Sequence, residues 1–474
     1  MRSSTIETDY LVIGAGALGM AFVDSLTEHS DADVVMVDHR HRPGGHWLDS
    51  YPFVQLHQPS RFYGVNSTSL GSDMVSTDGT EDAFDDRATG TEICSYYDQI
   101  MRDQFLVSGR VRFFPMCDYL GDRRFRSRVT GQVTDVAIRH RVVDATYMSS
   151  RVPATEPVPF EVAENVNCVP VGDLANLRTT PAGYVIVGGG KTALDAVCWL
   201  LDQGSDPDDI TWIRPRDAWL LNRAFLQPSR SRTFAGFTMQ LEAIVASESV
   251  EEAYERLEAE GLMLRIDRNV APTMMRGATI SVGELEQLRK VENVVRLGYV
   301  RRIDSKQITL EHGSIPTKPE HLHVNCTARG LTDSPPRTIF ANDMIIPQLV
   351  TRVGLTLSGA LEGFLETTSR TIEEKNALCP PTGMPHTPFD FFRAVLAGIS
   401  TELSWSAAPD LGEWLERSRL NLLSGLPEDD ALQELRDRFF TALFPALERM
   451  QEFEVRATPQ EQGRIYHPLG HAGR

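Results

Sequence analysis

Paired cysteines are missing from this sequence. Its six cysteines (Cys94, Cys117, Cys168, Cys198, Cys326 and Cys379) are scattered, with no C-x-x-C or C-x-x-x-x-C spacing. That removes a redox-active dithiol and a zinc knuckle from consideration, and scattered thiols fit a reducing compartment. Long apolar runs are missing too: none approaches the roughly 18–20 residues needed to cross a bilayer. The N-terminus shows no basic-then-apolar leader. The expectation is therefore a cytoplasmic protein with no membrane partner. Basic charge is in short supply, with 47 Lys and Arg against 65 Asp and Glu, a net charge of −18. Such a balance disfavours nucleic acid as a partner. No metal site is expected: His321 and His323 share one face of an extended segment, but no third ligand is evident. No G-x-S-x-G elbow anchors a Ser-His-Asp assignment.

What is present is a glycine-rich phrase that occurs twice. Residues 184–196 read YVIVGGGKTALDA, and residues 10–21 read YLVIGAGALGMA. The Gly190-Lys191-Thr192 triplet invites comparison with an ATP-gripping loop, but G-x-x-x-x-G-K-[ST] requires glycine where Val185 stands. A dinucleotide turn fits better. The apolar strand 184–187 leads into Gly188-x-Gly190-x-x-Ala193, and a helical pattern follows. In such a turn the first glycine permits a tight bend and the second admits a pyrophosphate against the backbone. The small third residue lets helix pack on strand, and the helix N-terminus offers free N–H groups to the phosphates. The first copy carries the full Gly14-x-Gly16-x-x-Gly19 pattern, with a helix expected from about Ala17 to Leu26. Its second strand, 34–37, ends at Asp38, 24 residues after Gly14, where a ribose-binding acid belongs.

The second copy differs at its far end. The strand 210–213 runs into Arg214-Pro215-Arg216 instead of an acid. A guanidinium suits a ribose 2′-phosphate, which it grips in bidentate fashion, so this copy reads as a site for NADPH rather than NADH.

With 474 residues, two or three domains are expected. Two glycine fingerprints about 170 residues apart in such a chain resemble the two-dinucleotide flavoproteins. In these the first copy binds FAD and the second, inserted into the first domain, binds NAD(P)H. Further phrases resemble the flavin-containing and Baeyer–Villiger monooxygenases, the class B branch. PGGHWLDSYP (43–52) is similar to their GGxW…YP segment along the flavin, which implies close backbone approach at Gly44 and Gly45 and places His46 and Trp47 near the ring. QLHQPSRFYGVNSTS (55–69) continues the likeness, with His57 a polar candidate and Asn66 where these enzymes carry an asparagine near the flavin's reactive face. WIRPRDAW (212–219) and NCTARG (325–330) resemble, respectively, the phrase after the second strand of the NADPH domain and the crossover back to the FAD domain. IFANDMIIPQ (339–348) resembles the late segment whose aspartate approaches the ribityl chain, which singles out Asp343.

The fold class implied is α/β: two Rossmann-like, doubly wound three-layer domains, the NADPH domain inserted into the FAD domain, plus a helical C-terminal segment. The boundaries are 5–165 (FAD domain, first part), 166–325 (NADPH domain, with a helical insertion over about 234–295), 326–375 (FAD domain, second part) and 376–474 (helical). The resemblance implies a cycle in which NADPH reduces FAD and the reduced flavin meets O₂. The resulting C4a-(hydro)peroxide oxygenates a small organic substrate at N, S or a carbonyl carbon. His46, Trp47, His57 and Asn66 are then the catalytic candidates. Gly14, Gly16, Gly19, Asp38, Gly44, Gly45, Gly188, Gly190, Lys191, Thr192, Arg214, Arg216 and Asp343 are the cofactor-binding ones. One departure stands out. The family's F-x-G-x-x-x-H-x-x-x-[YWF] pattern is represented by FEVAENVNCVPVGDL (160–174), which has Phe160 but neither the glycine nor the histidine. Cofactor binding carries over; oxygen activation stays open beside a flavin reductase, dehydrogenase or oxidase, or a non-catalytic nucleotide-binding flavoprotein. The substrate is not legible, and neither is the oligomeric state, a homodimer being one option. Phe225, Phe234, Phe237 and Met239 form an apolar set that fits either a pocket or a core.

Overall fold

The structure is a computed structural model that describes residues 4–71, 86–328, 330, 334–351, 354–425 and 430–457. Strand β1 (Ser4–Ile13), helix α1 (Ala17–Glu28) and strand β2 (Val34–Val37) form the first βαβ unit. β1 is the centre of a seven-stranded sheet. It runs parallel to β2, with Tyr10 opposite Val34 and Ile13 opposite Val37, and parallel to the strand Val133–Asp144 on its other side. Four consecutive buried residues make β2 a strand covered on both faces, as a parallel sheet requires. Beyond Val133–Asp144 the sheet turns antiparallel through Arg124–Ser127 and Cys117–Gly121. Met344–Ile345 pairs beside Val133–Asp144. The returning helix Leu355–Thr367 packs along α1.

A second sheet is parallel throughout. Its order is Val294–Val295, Ile210–Ile213, Gly183–Val187, His321–Asn325 and Cys168–Pro170. The helix Lys191–Asp202 follows Gly183–Val187 directly. His323 is fixed within this sheet by Thr317 and the Asn167 carbonyl.

The expected helical insertion needs correction. Arg230–Ala246, Val250–Ala259 and Val282–Leu288 are helices, but Met263–Leu264 and Met274–Ile280 are strands on Ala218–Asn222, and Val294–Val295 belongs to the parallel sheet. The helices are set by local signals: Ser229, Ser249 and Ser281 each cap one with a side-chain acceptor. The strands depend on a partner about fifty residues earlier, and strand propensity is governed by such packing.

Residues after 375 add the helices Pro388–Ser404, Pro409–Arg417 and Ala431–Arg456. Pro388–Ser404 and Ala431–Arg456 close a core with the insertion in which Trp219, Tyr254, Phe392 and Phe439 are buried. Phe225, Phe234, Phe237 and Met239 pack against that core, which decides between the two readings of this set. All six cysteines are free thiols. No helix of the described residues is long and apolar enough to cross a membrane.

Candidate dinucleotide sites and the seam between them

The turn after β1 opens onto two adjoining cavities of about 370 and 390 Å³ that share Gly14, Asp38, His39 and Thr146. The second reaches along Gly16, Ala17, Arg40, Gly45 and His46 to Leu355. Two helices thus begin on this trough, α1 at Ala17 and the returning helix at Leu355. Neither carries an acid in its first turn, so the partial positive charge of both N-termini is available to an anion. The GGHW segment arrives as a single helical turn, Gly45–Asp49. Its backbone touches the fingerprint: a Cβ on Gly45 would stand 2.9 Å from the Gly16 Cα, and Gly45 has φ +60°. Only glycine fits where two backbones meet in that conformation.

Asp38 closes the end of β2. Its Oδ2 accepts the Ala15 N–H at 2.7 Å and its Oδ1 the Arg40 N–H at 2.8 Å, while it lines both cavities. His46 lies in the wall of the second cavity with its ring tilted on Trp47, centroids 4.7 Å apart. Burial, with the nearby Arg40 charge, pushes its pKa down to about 4, so at neutral pH it presents an uncharged imidazole to the trough. Trp47 points elsewhere: it donates from Nε1 to the Tyr63 hydroxyl at 2.7 Å and packs against the first core. It is a packing residue in this structure.

Asn66 lines neither cavity at the first glycine turn. Its neighbour Ser67 is tied to Asp24 of α1, and Asn66 itself accepts from Ser418 Oγ at 2.7 Å. Asp24 lies eight residues beyond Gly16, about 12 Å along the helix from the nucleotide-facing end. The chain brings Asn66 against Ser418 of the C-terminal segment. Asp343 also lines neither cavity. It is exposed in the turn before Met344–Ile345, and its carbonyl accepts from Val142 N. Met344 pairs with Val142, level with Leu11 on β1, so Asp343 lies beside the C-terminal part of Val133–Asp144.

The second glycine turn is braced from the neighbouring strand. Trp212, fully buried, donates from Nε1 to the Gly188 carbonyl at 2.9 Å. Helix Lys191–Asp202 starts at the cap residue Gly190, again with no acid in its first turn. Lys191 pairs with Asp195 one turn on. Asp195 also accepts the Tyr51 hydroxyl at 2.6 Å, and Thr192 contributes a side-chain hydrogen bond to the same hydroxyl. Tyr51 belongs to the YP phrase, so the loop that starts in the first trough is fastened to the second glycine helix. Phe53 strengthens the seam by stacking on Trp199 at 4.8 Å.

Arg214 is already engaged by its neighbours. It is buried, paired with Asp217 and stacked over the Trp212 ring at 4.8 Å. Asp217 is gripped from the other side by Arg296 at 2.9 Å. Arg216 is the open guanidinium. It donates to the Thr273 carbonyl at 2.8 Å and borders a cavity of about 610 Å³ that extends to Phe389, Phe453 and Arg456.

His57 lines neither cavity at the first turn and lies near Lys191 and Asp195 of the second glycine helix. Its carbonyl accepts from Arg223 Nε at 3.3 Å, and burial followed by the Lys191 charge pushes its pKa down to about 4. Tyr51, Arg87, Arg223 and Glu284, which crowd this seam, were not singled out from sequence; only Tyr51 stood within a quoted phrase.

A base with a depressed folded pKa weakens the fold as pH falls. The unfolded chain takes up a proton near 6.5, and the folded chain does so only near 4. The contribution of His46 and His57 is whole above about pH 6.5 and is lost progressively toward pH 4. Each is expected to account for on the order of 1–3 kcal/mol across that window. Thermal midpoints measured from pH 7 to 4.5 should fall, and the H46Q/H57Q double variant should show a shallower fall. Equal slopes would remove the two imidazoles from the acid response.

A family model described as an NAD(P)-binding Rossmann-like domain matches residues 12–58. The Mycobacterium tuberculosis (strain H37Rv) protein named Uncharacterized protein Rv2000 is 44% identical over 427 residues, covering 90% of this chain and 79% of that protein. The Mycobacterium bovis protein named Uncharacterized protein Mb2023 matches at the same identity and coverage. The chain belongs to the family of these mycobacterial proteins. In fold, this family member is similar to a cyclohexanone-bound cyclohexanone monooxygenase, with a TM-score of 0.50 at 14% identity over 94% of this chain and 98% of that one. It is similar to the same degree to the polycyclic ketone monooxygenase of Thermothelomyces thermophila, with a TM-score of 0.50 at 12% identity over 94% of this chain and 90% of that one. The fold is that of class B flavin monooxygenases: α/β, with Rossmann-like sheets and a helical C-terminus.

Proposed function

We propose that the chain is an FAD- and NADPH-dependent monooxygenase that uses O₂ to oxygenate a small organic substrate at N, S or a carbonyl carbon. The observation that carries it is the contact of Gly45 with Gly16 inside a trough onto which two helix N-termini open. A dinucleotide fits that cradle by chemistry. Asp38 suits a ribose hydroxyl, the helix starts suit a diphosphate, and the GGHW turn borders the space beyond. FAD supplies hydride acceptance and reaction with O₂ when bound. The chain's own residues bind, orient and shield. Neutral His46 offers a hydrogen-bonding group in the trough wall without a competing charge, and the Tyr51–Asp195 contact holds the flavin-side loop against the second glycine helix. Arg216 is the residue for the 2′-phosphate, and Lys191 lies at the helix start where a pyrophosphate belongs.

The test is to purify the protein, record its visible spectrum, add NADPH without oxygen and then admit air in a stopped-flow mixer. The expected result is a yellow protein, bleached by NADPH, that passes through a transient absorbing species before it reoxidises. Direct reoxidation with no transient would give the site to a reductase or oxidase, the reading favoured by the missing glycine and histidine in 160–174. A colourless protein that FAD cannot restore would remove the flavin altogether.

A further inference from the structure

The cavity of about 610 Å³ at Arg216 has most of its wall outside the two βαβ units that carry the glycine turns. It opens between the insertion and the C-terminal helices. The insertion contributes Val250, Pro272 and Thr273, and the C-terminal helices contribute Pro388, Phe389 and Phe453. Two contacts hold these sides together. Met275 N donates to the His386 carbonyl at 3.1 Å, and the Tyr254 hydroxyl donates to the Pro388 carbonyl at 3.2 Å. The rings of Phe389 and Phe453 are anchored in the core beneath, so this apolar floor is formed before any ligand arrives.

Its position is set by the second glycine turn. Ile210–Ile213 runs parallel to Gly183–Val187. Arg214, Pro215 and Arg216 therefore leave the sheet at the same end as the turn, where open α/β sheets bind ligands. The two segments touch: a Cβ on Gly189 would stand 2.8 Å from the Arg216 carbonyl. The cavity begins beside a dinucleotide turn and extends to the C-terminal helices. Its charge is balanced. Arg216 and Arg456 line it, and so do Glu248 and Glu251. Such a wall does not collect polyanions. It suits a single phosphate at Arg216, whose partners among the described residues are the carbonyl and hydroxyl of Thr273. It also suits a flat neutral ring whose N–H donors meet the carboxylates.

We propose that this cavity seats the 2′-phosphoadenosine end of NADPH, with the purine on the floor made by Phe389 and Phe453, so that the C-terminal helices are part of the cofactor site. The assignment rests on the NADPH reading above and adds to it a wall that neither glycine turn supplies. Arg216 takes the phosphate. Phe389 and Phe453 are binding residues for the base, because a purine face packs on aromatic carbon without needing a particular hydrogen-bond pattern. Glu248 and Glu251 accept N–H donors from the base and turn away a second phosphate. The cofactor then bridges the inserted domain and the C-terminal segment.

The probe is adenosine 2′,5′-bisphosphate, which carries this end of the cofactor alone. Holoenzyme is photolabelled with its 8-azido derivative, and the cross-linked peptides are read by mass spectrometry. Labels are expected within residues 387–389 or 453–457 of the cavity wall, and they should vanish when NADP⁺ is added first. Absence of label from both stretches, or label that NADP⁺ leaves in place, overturns the proposal. Calorimetry with the bisphosphate gives a second reading. Ala271→Trp puts a large ring on an exposed residue of the wall. It should weaken the bisphosphate at least tenfold with flavin content unchanged, and a smaller loss overturns the proposal. The wild-type labelling decides even where the variant fails to fold. A protein whose only label falls at the second glycine turn keeps the NADPH reading and loses the C-terminal wall. A protein that binds no bisphosphate loses both. One labelled as expected that shows no transient on reoxidation keeps this site and loses the monooxygenase.

Discussion

Gly45→Val should yield a folded protein that purifies without colour. Gly45 sits at φ +60°, with the Gly16 Cα 2.9 Å from where its Cβ would be. The left-handed conformation alone costs a β-branched residue about 1–2 kcal/mol. The contact adds more, because the obstructing atom is backbone in the fingerprint turn and cannot rotate aside. Relief requires the GGHW turn to move off the trough, and that turn carries His46 and forms part of the cavity wall. Loss of about 3 kcal/mol of complementarity corresponds to a weakening of FAD on the order of 100-fold. Flavin content is read from the ratio of visible to ultraviolet absorbance, the dissociation constant from flavin fluorescence, and folding from far-UV circular dichroism. Gly45→Ala should fall between wild type and valine. A yellow G45V protein with wild-type affinity would mean that no dinucleotide depends on this contact.

The features that were legible in the sequence are those whose causes are local. The β1–α1–β2 unit was readable because a glycine turn between a buried strand and a helix imposes its residue types within about thirty positions. The structure extends the helix only to Glu28. The surroundings that were not legible share the opposite property. Arg214 stands at the end of its strand as expected, yet its guanidinium is claimed by Asp217, which is itself held by Arg296 79 residues away. Asn66 is claimed by Ser418, 352 residues away. Asp343 was placed by a phrase, and its level in the sheet is set by the pairing of Met344–Ile345 with Val142–Val143. The strand Met274–Ile280 contains Gly277 and Arg276 and has little propensity of its own; Ala218–Asn222 makes it a strand. Arg87 and Arg223 had no signal at all, because their shared partner Glu284 is distant from both in sequence.

The two arginines after the second strand should separate under mutation, and their separation tests the assignment of NADPH. Arg216 borders an open cavity and, among the described residues, donates to the Thr273 carbonyl at 2.8 Å and the Thr273 hydroxyl at 3.2 Å. Those contacts are weak rivals to a phosphate, for which a charge-assisted bond contributes about 1.5–3 kcal/mol. Arg216→Ala is therefore expected to raise the NADPH dissociation constant by about 10- to 100-fold and to leave NADH within a factor of two. Its melting temperature should stay near wild type. Arg214→Ala should do the reverse. It takes a stacked cation from Trp212, whose indole braces the Gly188 carbonyl, and leaves buried Asp217 with Arg296 as its remaining ion-pair partner. Breaking a buried pair costs about 3–5 kcal/mol where no other partner remains; with Arg296 still in place, about 1–3 kcal/mol is the expectation. That loss should appear as a lowered unfolding midpoint in urea and should weaken NADPH and NADH in equal proportion. If instead R214A discriminates between the two cofactors and R216A does not, the phosphate is read by the buried guanidinium, and the Asp217 pair must open whenever NADPH binds.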